Sequence, residues 1–315
     1  MKVFNKQQII SQLDLNLAVN RLEEGFVAFS NGEVQVPPVQ AFSFIEANGD
    51  CCVKSAYVKG SDTFTVKIST GFYDNPSKGL ESNDGLMMVL SATTGQPLAL
   101  LQDEGWLTCI RTALAGRIAA RLLAPREVTA IGIVGTGMQA RMHLEQLHAV
   151  TDCRKVVVWG RNDVELEAYK AFASDLGYEV QTTRNLENVA RSANLIICVT
   201  PSREPLLKSE WIQPGTHITA VGADAAGKQE LDPALVARAD RIIVDSIYQC
   251  SQYGEISHAL KAGLIREEQL AELGALLAGR AKGRDNDDQI TLVDLTGVAV
   301  QDAQISSCAL ASMKG

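Results

Sequence analysis

The stretch Ala130-Ile131-Gly132-Ile133-Val134-Gly135-Thr136-Gly137-Met138-Gln139-Ala140 decides the fold class. It reads as a short buried strand, then G-x-G-x-x-A, then a helix from Ala140 to about Val150. Gly135 permits the tight turn, Gly137 lets the backbone approach a pyrophosphate, and the small Ala140 lets helix pack on strand. The free N–H groups of the helix then face the phosphates. A second β-branched strand, Val156-Val157-Val158-Trp159, follows. The glycines therefore sit in a βαβ unit, and Gly135, Thr136 and Gly137 are candidate dinucleotide contacts.

The residues after that second strand bear on which dinucleotide. An NAD-preferring site carries Asp or Glu about 20 residues past the glycines, to accept hydrogen bonds from the ribose hydroxyls. This chain has Gly160-Arg161-Asn162 instead. A guanidinium cannot accept those bonds but pairs well with a 2′-phosphate. Arg161, with Asn162 beside it, favours NADP(H) and leaves NAD(H) open; the other reading of Arg161 is a solvated surface residue.

At 315 residues the chain has room for two domains and a large core. Its 46% hydrophobic and 21% charged residues are ordinary for a soluble globular enzyme. A net charge of −8 with no basic block argues against a nucleic-acid or anionic-membrane surface. Met1 to Ile10 is polar and lacks the apolar stretch of a signal peptide, and no run reaches the length of a membrane helix. The seven cysteines show neither a zinc spacing nor C-x-x-C, which fits reduced thiols in the cytoplasm. Of the four histidines, His143 and His148 are five apart and do not share a helix face, so no metal site is expected.

Between about 126 and 290 the chain alternates strands and helices, with strands at 128–134, 155–159, 178–182, 194–200, 216–222 and 241–245. That is the pattern of an α/β Rossmann domain, a doubly wound parallel sheet. Residues 34–100 differ: Val53 to Val58 and Phe64 to Ser69 are short alternating strands set between turns. They predict a smaller, mixed α+β N-terminal domain preceded by one amphipathic helix from Lys6 to Phe29. The expected division is 1–120, completed by about 295–315, and 121–294.

Leu107, Ile110, Leu114, Ile118 and Leu122 recur at helical spacing, which predicts a bridging helix over about 108–123 with Thr108 as N-cap. Arg111 falls in its first turn, where a cation opposes the helix dipole unless an anion is present. That residue is either a carboxylate site or half of a structural ion pair. Lys67 lies on the strand face opposite Phe64, Val66 and Ile68, where a lone Lys is usually solvated. Asp224 follows the strand Ile218-Thr219-Ala220-Val221, and the carboxyl ends of parallel strands face the ligand crevice.

Together these residues resemble the ornithine cyclodeaminase/μ-crystallin family. The matching segments are Lys67-Ile68-Ser69, Asn75 to Leu80, Arg111-Thr112-Ala113, Gly135 to Ala140, Val221 to Asp224 with Lys228, and Asp294 to Gly297 with Gln301-Asp302. Within the family the chain is most similar to the subgroup associated with ectoine utilisation, which contains reductases of α-imino acids such as iminosuccinate. The resemblance implies a homodimer whose N-terminal domain, completed by the C-terminal tail, supplies dimer contacts and substrate groups, and a nicotinamide cofactor on the Rossmann domain. It implies that Lys67 and Arg111 hold the substrate α-carboxylate, with Lys67 and Asp224 as the catalytic pair, and that Asp224 stabilises a cationic iminium. Ser82, Arg111, Thr112, Met138, Gln139, Thr200, Val221, Gly222, Lys228 and Leu295 fall at cofactor positions, and Thr296 beside the substrate.

Two departures matter. Where the family's cyclodeaminases carry an acidic residue that grips the substrate's terminal ammonium, this chain has Lys54. A cation there repels ornithine and attracts a second carboxylate. The family's additional carboxylate-binding Arg is also missing, with Val39, Gln40 and Ala41 at its positions. The expectation is an NAD(P)H-dependent reductase of a small α-imino acid, iminosuccinate-like or a cyclic ketimine. The alternatives are a cyclodeaminase-type lyase with catalytic NAD and a μ-crystallin-like ligand-binding protein.

Overall fold

The computed structural model describes residues 1–313, the side chain of Pro76 apart. The chain forms two units, Met1–Arg111 with Val298 onward, and Thr112–Gly297. Of the expected C-terminal completion, Lys314 and Gly315 lie outside the described residues.

The first unit is built on strands β1 (Lys2–Asn5), β2 (Val34–Gln35), β3 (Gln40–Phe44), β4 (Gly49–Val58), β5 (Thr63–Phe72), β6 (Asn83–Ser91) and β7 (Pro97–Gln102). They form one mixed sheet in the order β1-β7-β6-β5-β4-β2, with β3 also on β4. Only β1 runs parallel to its neighbour; the rest pair antiparallel. The expected short strands at 53–58 and 64–69 lie within two ten-residue strands, β4 and β5.

The expected single helix from Lys6 to Phe29 is two helices, α1 (Lys6–Gln12) and α2 (Leu15–Ser30). The break falls at Leu13–Asp14, because the Asp14 carboxylate accepts from the N–H groups of Asn16 and Leu17 and so starts a new helix. Asn5 and Gln8 cap α1 reciprocally.

Helix α3 (Trp106–Leu123) starts two residues before the expected position, and its first turn is capped by Asp103, whose Oδ2 accepts from Leu107 N at 2.7 Å. Thr108 is therefore inside the helix, and Arg111 stands in the second turn rather than the first.

In the second unit, β8 (Ile131–Val134), β9 (Lys155–Trp159), β10 (Glu179–Thr183), β11 (Leu195–Cys198), β13 (His217–Ala220), β15 (Arg241–Val244), β16 (Leu270–Glu272) and β17 (Thr291–Asp294) form an all-parallel sheet. Its order is β10-β9-β8-β11-β13-β17-β15-β16, so the strand order reverses between β8 and β11, where such sheets open a crevice. The doubly wound reading holds. Strand β17, between β13 and β15, escaped the periodicity reading because its four residues follow the polar run 281–288. The small pair β12 (Arg203–Leu207) and β14 (Gln229–Leu231) was also not anticipated. Apolar clusters around Val189, Ile196 and Leu292 and around Ile131, Leu144 and Tyr169 make the core.

Candidate active site

In the first unit, antiparallel register puts Lys54, Lys67, Met87 and Leu101 in one row across β4 to β7, and Ala56, Thr65, Val89 and Ala99 in the next. This is the buried face. Lys67 is 2% exposed, while Ile68, on the opposite face, is 37% exposed. The usual solvation of a lone strand Lys does not apply to Lys67, and the reason is the C-terminal helix Ala299–Ser312. Its Ser306 hydroxyl lies 2.7 Å from Thr65 Oγ1, and Asp302 Oδ2 lies 2.8 Å from Lys67 Nζ.

Asp302 also engages Arg111, with Oδ1 at 3.2 Å from Nε, while Gln301 Oε1 accepts from the guanidinium at 2.9 Å. Of the two readings of Arg111, the structure contains the ion pair. Both cations assigned to a substrate carboxylate thus share one internal carboxylate. Burial pulls the Lys67 ammonium down to about 8, with Asp302 opposing that shift and Arg111 adding to it. Burial pushes the Asp302 carboxyl up, but Lys67 and Arg111 outweigh it and hold the group below its ordinary range. Asp103 is pushed up to about 6 by burial.

Lys54, half-buried, stands directly opposite Lys67 on the same face, and it too acts on Asp302. Ala41 opposes Cys52, two residues before Lys54, so a short side chain occupies that row beside the cations. Ser82 lies just before β6, where its carbonyl accepts from Phe72 N.

In the second unit the glycine turn is present. Gly135 has φ +118°, and Ala140 is fully buried. Helix α4 (Met138–Leu147) begins immediately after Gly137 and ends three residues short of the expected Val150. Gly137 is its N-cap without a side-chain cap, and a Cβ there would meet nothing within 4 Å. Uncapped N–H groups beside open space suit the pyrophosphate of a dinucleotide. Met138 is exposed at the helix start, and the Gln139 carbonyl lies 2.9 Å from His143 Nδ1.

A pocket of about 250 Å³ adjoins the turn, lined by Gly135 to Gly137, Trp159 to Arg161, Glu165 and the loop Val199–Ser202. Arg161 is exposed there, whereas the Asn162 side chain caps helix α5 (Asp163–Asp175) by accepting from Val164 N. Glu165 accepts from Thr136 Oγ1 at 3.0 Å and puts into this pocket a carboxylate that the motif reading missed.

The remaining expected contacts lie at the carboxyl ends of β11, β13 and β17. Thr200 and Gly222 are both bonded to Glu230, which is fully buried. Val221 donates its N–H to Cys198 O, and Leu295 donates its own to Ala220 O, with both side chains buried. Asp224 is half-exposed and paired with Lys228 at 2.6 Å, so two residues expected in separate roles meet as an ion pair. The Thr296 hydroxyl donates to Asp245 and accepts from Gln249, both at 2.9 Å. His217 is buried and pushed down to about 3, a neutral core residue bonded to Thr291 and Thr219. Among the described residues no group of three His, Cys, Asp or Glu is arranged to hold a metal ion, and no helix is long and apolar enough to cross a membrane.

A glycine turn opening a helix on a doubly wound parallel sheet defines a Rossmann-type α/β protein. A model of the ornithine cyclodeaminase/mu-crystallin family matches residues 2–311, and the chain belongs to that family. The iminosuccinate reductase of Paracoccus denitrificans is 37% identical over 248 residues, covering 78% of this chain and 76% of that protein. The crystal structure of that reductase in complex with NAD+ matches with a TM-score of 0.91 at 31% identity, covering 100% and 96% of the two chains. The alanine dehydrogenase of Archaeoglobus fulgidus is 34% identical over 305 residues, 96% of this chain and 92% of that protein. The Thermococcus litoralis Δ1-pyrroline-2-carboxylate reductase, in complex with NADH and L-proline, matches with a TM-score of 0.93 at 29% identity, covering 100% and 98%.

Proposed function

We propose that the chain is an NAD(P)H-dependent reductase that converts a small α-imino acid to the L-amino acid, with a dicarboxylic imine such as iminosuccinate preferred over a cyclic ketimine. It is an oxidoreductase acting on CH–NH or CH–NH2 groups, as its relatives are. One observation carries the substrate class: Lys54 stands opposite Lys67 on the buried face of the sheet. Lys54, Lys67 and Arg111 all act on the one carboxylate of Asp302, so the cations outnumber it there, and the excess positive charge favours a further anion.

In this reading Lys67 and Arg111 bind and orient the α-carboxylate, and Lys54 receives the second carboxylate. Asp302 keeps the Lys67–Arg111 pair in place. Asp224 holds negative charge opposite the cationic imine nitrogen and relays its proton, directly or through water. Thr296 lines the substrate position, its hydroxyl fixed by Asp245 and Gln249. The glycine turn, Arg161, Asn162, Thr200, Val221, Gly222, Lys228, Leu295, Ser82 and Thr112 hold the dinucleotide, which when bound supplies the hydride. Arg161 favours NADP(H), with NAD(H) also accepted. The working form is a cytoplasmic homodimer.

The test is an oxidation screen with NADPH and NADH against oxaloacetate plus ammonia, pyruvate plus methylamine, and cyclic ketimines. Stoichiometric cofactor oxidation, fastest with oxaloacetate plus ammonia, is the expected result. Proline and ammonia formed from ornithine with catalytic NAD would reverse the assignment to a lyase. Tight ligand binding without turnover would make the chain a binding protein.

A further inference from the structure

Glu230 is a fully buried carboxylate in β14, two residues beyond Lys228 and itself outside the segments that carry the family resemblance. Its Oε1 accepts from Thr200 N at 2.6 Å and from Thr200 Oγ1 at 2.7 Å, and its Oε2 accepts from Gly222 N at 2.8 Å. One side chain therefore ties together the loops that leave β11 and β13. The two loops pack closely enough that a Cβ on Gly222 would overlap the Thr200 carbonyl oxygen and Glu230 itself.

Glu230 is itself held. Glu255, also fully buried, accepts from the backbone N–H groups of Glu230 at 2.6 Å and Leu231 at 2.9 Å. Asp294, at the end of β17, accepts from Ile256 N at 3.1 Å and so fixes the start of the helix Glu255–Lys261. Three buried carboxylates thus run from the centre of the sheet to the loop that carries Asp224. Each carboxylate accepts backbone N–H groups of the next segment. Placing three carboxylates inside a protein is costly unless each is fully used. A purely structural link between loops needs no more than backbone bonding or apolar packing.

We propose that Glu230 is the positioning residue that sets the spacing of the Thr200 and Gly222 loops, and through the latter the place of Asp224, for the dinucleotide. It acts through those loops and does not touch the reacting atoms. The inference rests on the nicotinamide-dependent reading of the site. Glu230→Gln keeps the volume but replaces one acceptor oxygen by a donor. The amide then faces either the Thr200 or the Gly222 N–H with another N–H, and one grip is lost.

The experiment is fluorescence titration of NADH and NADPH, and competition by AMP, on wild type, Glu230→Gln and Glu255→Gln, with the melting temperature of each, at pH 8, above the value of about 7 to which burial raises Glu230. AMP probes the glycine turn and the pocket that the Thr200 loop also lines, so it reads one of the two loops; the whole dinucleotide also needs the Gly222 loop. Glu230→Gln should weaken the better dinucleotide by about tenfold or more, the scale of a lost charge-assisted bond, and AMP by no more than about threefold. Glu255→Gln touches neither loop and loosens only the backbone that carries Glu230, and it should weaken the dinucleotide by about threefold and AMP by less. This variant carries the test should Glu230→Gln fail to fold. Equal losses for AMP and dinucleotide, or dinucleotide binding within twofold of wild type, overturn the proposal. A wild-type chain that binds neither dinucleotide removes the reductase reading itself.

Discussion

Asp302 Oδ2 lies 2.8 Å from Lys67 Nζ, and both side chains are 3% exposed. An ammonium buried this deeply persists because its partner is buried with it, and the partner comes from the last helix of the chain. The ion pairs join Lys67 and Arg111 to Asp302 as one unit, and several consequences are measurable.

Asp302→Asn leaves Lys67 and Arg111 buried without their counter-charge. Removing one partner of a buried pair costs about 3–5 kcal/mol. Urea denaturation at pH 7 should show a loss on that scale. A loss below about 1 kcal/mol would mean that water or another anion already serves the two cations.

Burial draws the Lys67 ammonium down to about 8, and on the role proposed for it substrate binding should depend on pH. Below that value Lys67 is charged and able to hold a carboxylate; as pH rises through about 8 the charge is lost, and the affinity should fall with it. The profile of kcat/KM should fall above pH 8, at constant ionic strength, and the limb should disappear in Lys67→Met. Folding stability moves the other way. Between about 8 and the ordinary 10.5 the unfolded chain retains a proton that folded Lys67 has released, so this residue's contribution rises with pH there.

Lys54→Ala tests the second carboxylate. A partly desolvated ion pair contributes on the order of a few kcal/mol to discrimination. The substitution should reduce kcat/KM for iminosuccinate by roughly 10- to 1000-fold and spare imines with a single carboxylate. A uniform loss on all substrates would assign Lys54 to the α-carboxylate, in the role of the missing Arg. No loss on any would end the dicarboxylate preference.

Arg161→Asp tests the cofactor. Losing one charge-assisted contact and adding repulsion should weaken NADPH use by about tenfold or more, with NADH changed far less. Equal effects on the two cofactors would show that Arg161 meets no 2′-phosphate. In that case Glu165, which shares the pocket, becomes the residue to examine for ribose recognition.

Features that depend on local backbone geometry could be read from the residues alone. The strand, glycine turn and helix start at Ile131 to Ala140 follow from residues that touch one another along the chain. So does the assignment of Lys67 to the face opposite Ile68, because strand period is set by the backbone. Burial of that face was decided by tertiary structure. An isolated strand with Phe64, Val66 and Ile68 on one side reads as apolar side inward. The order reverses here because Asp302 and Ser306, on a helix far along the chain, supply partners for Lys67 and Thr65. Position β17 in the middle of the sheet, the capping of α3 by Asp103 and the three-donor grip of Glu230 belong to the same class. A buried charge is stable only where distant segments meet it with donors or an opposite charge. Spacing along the chain carries no record of that meeting, so the residues were legible in the sequence and their partners were visible only in the fold.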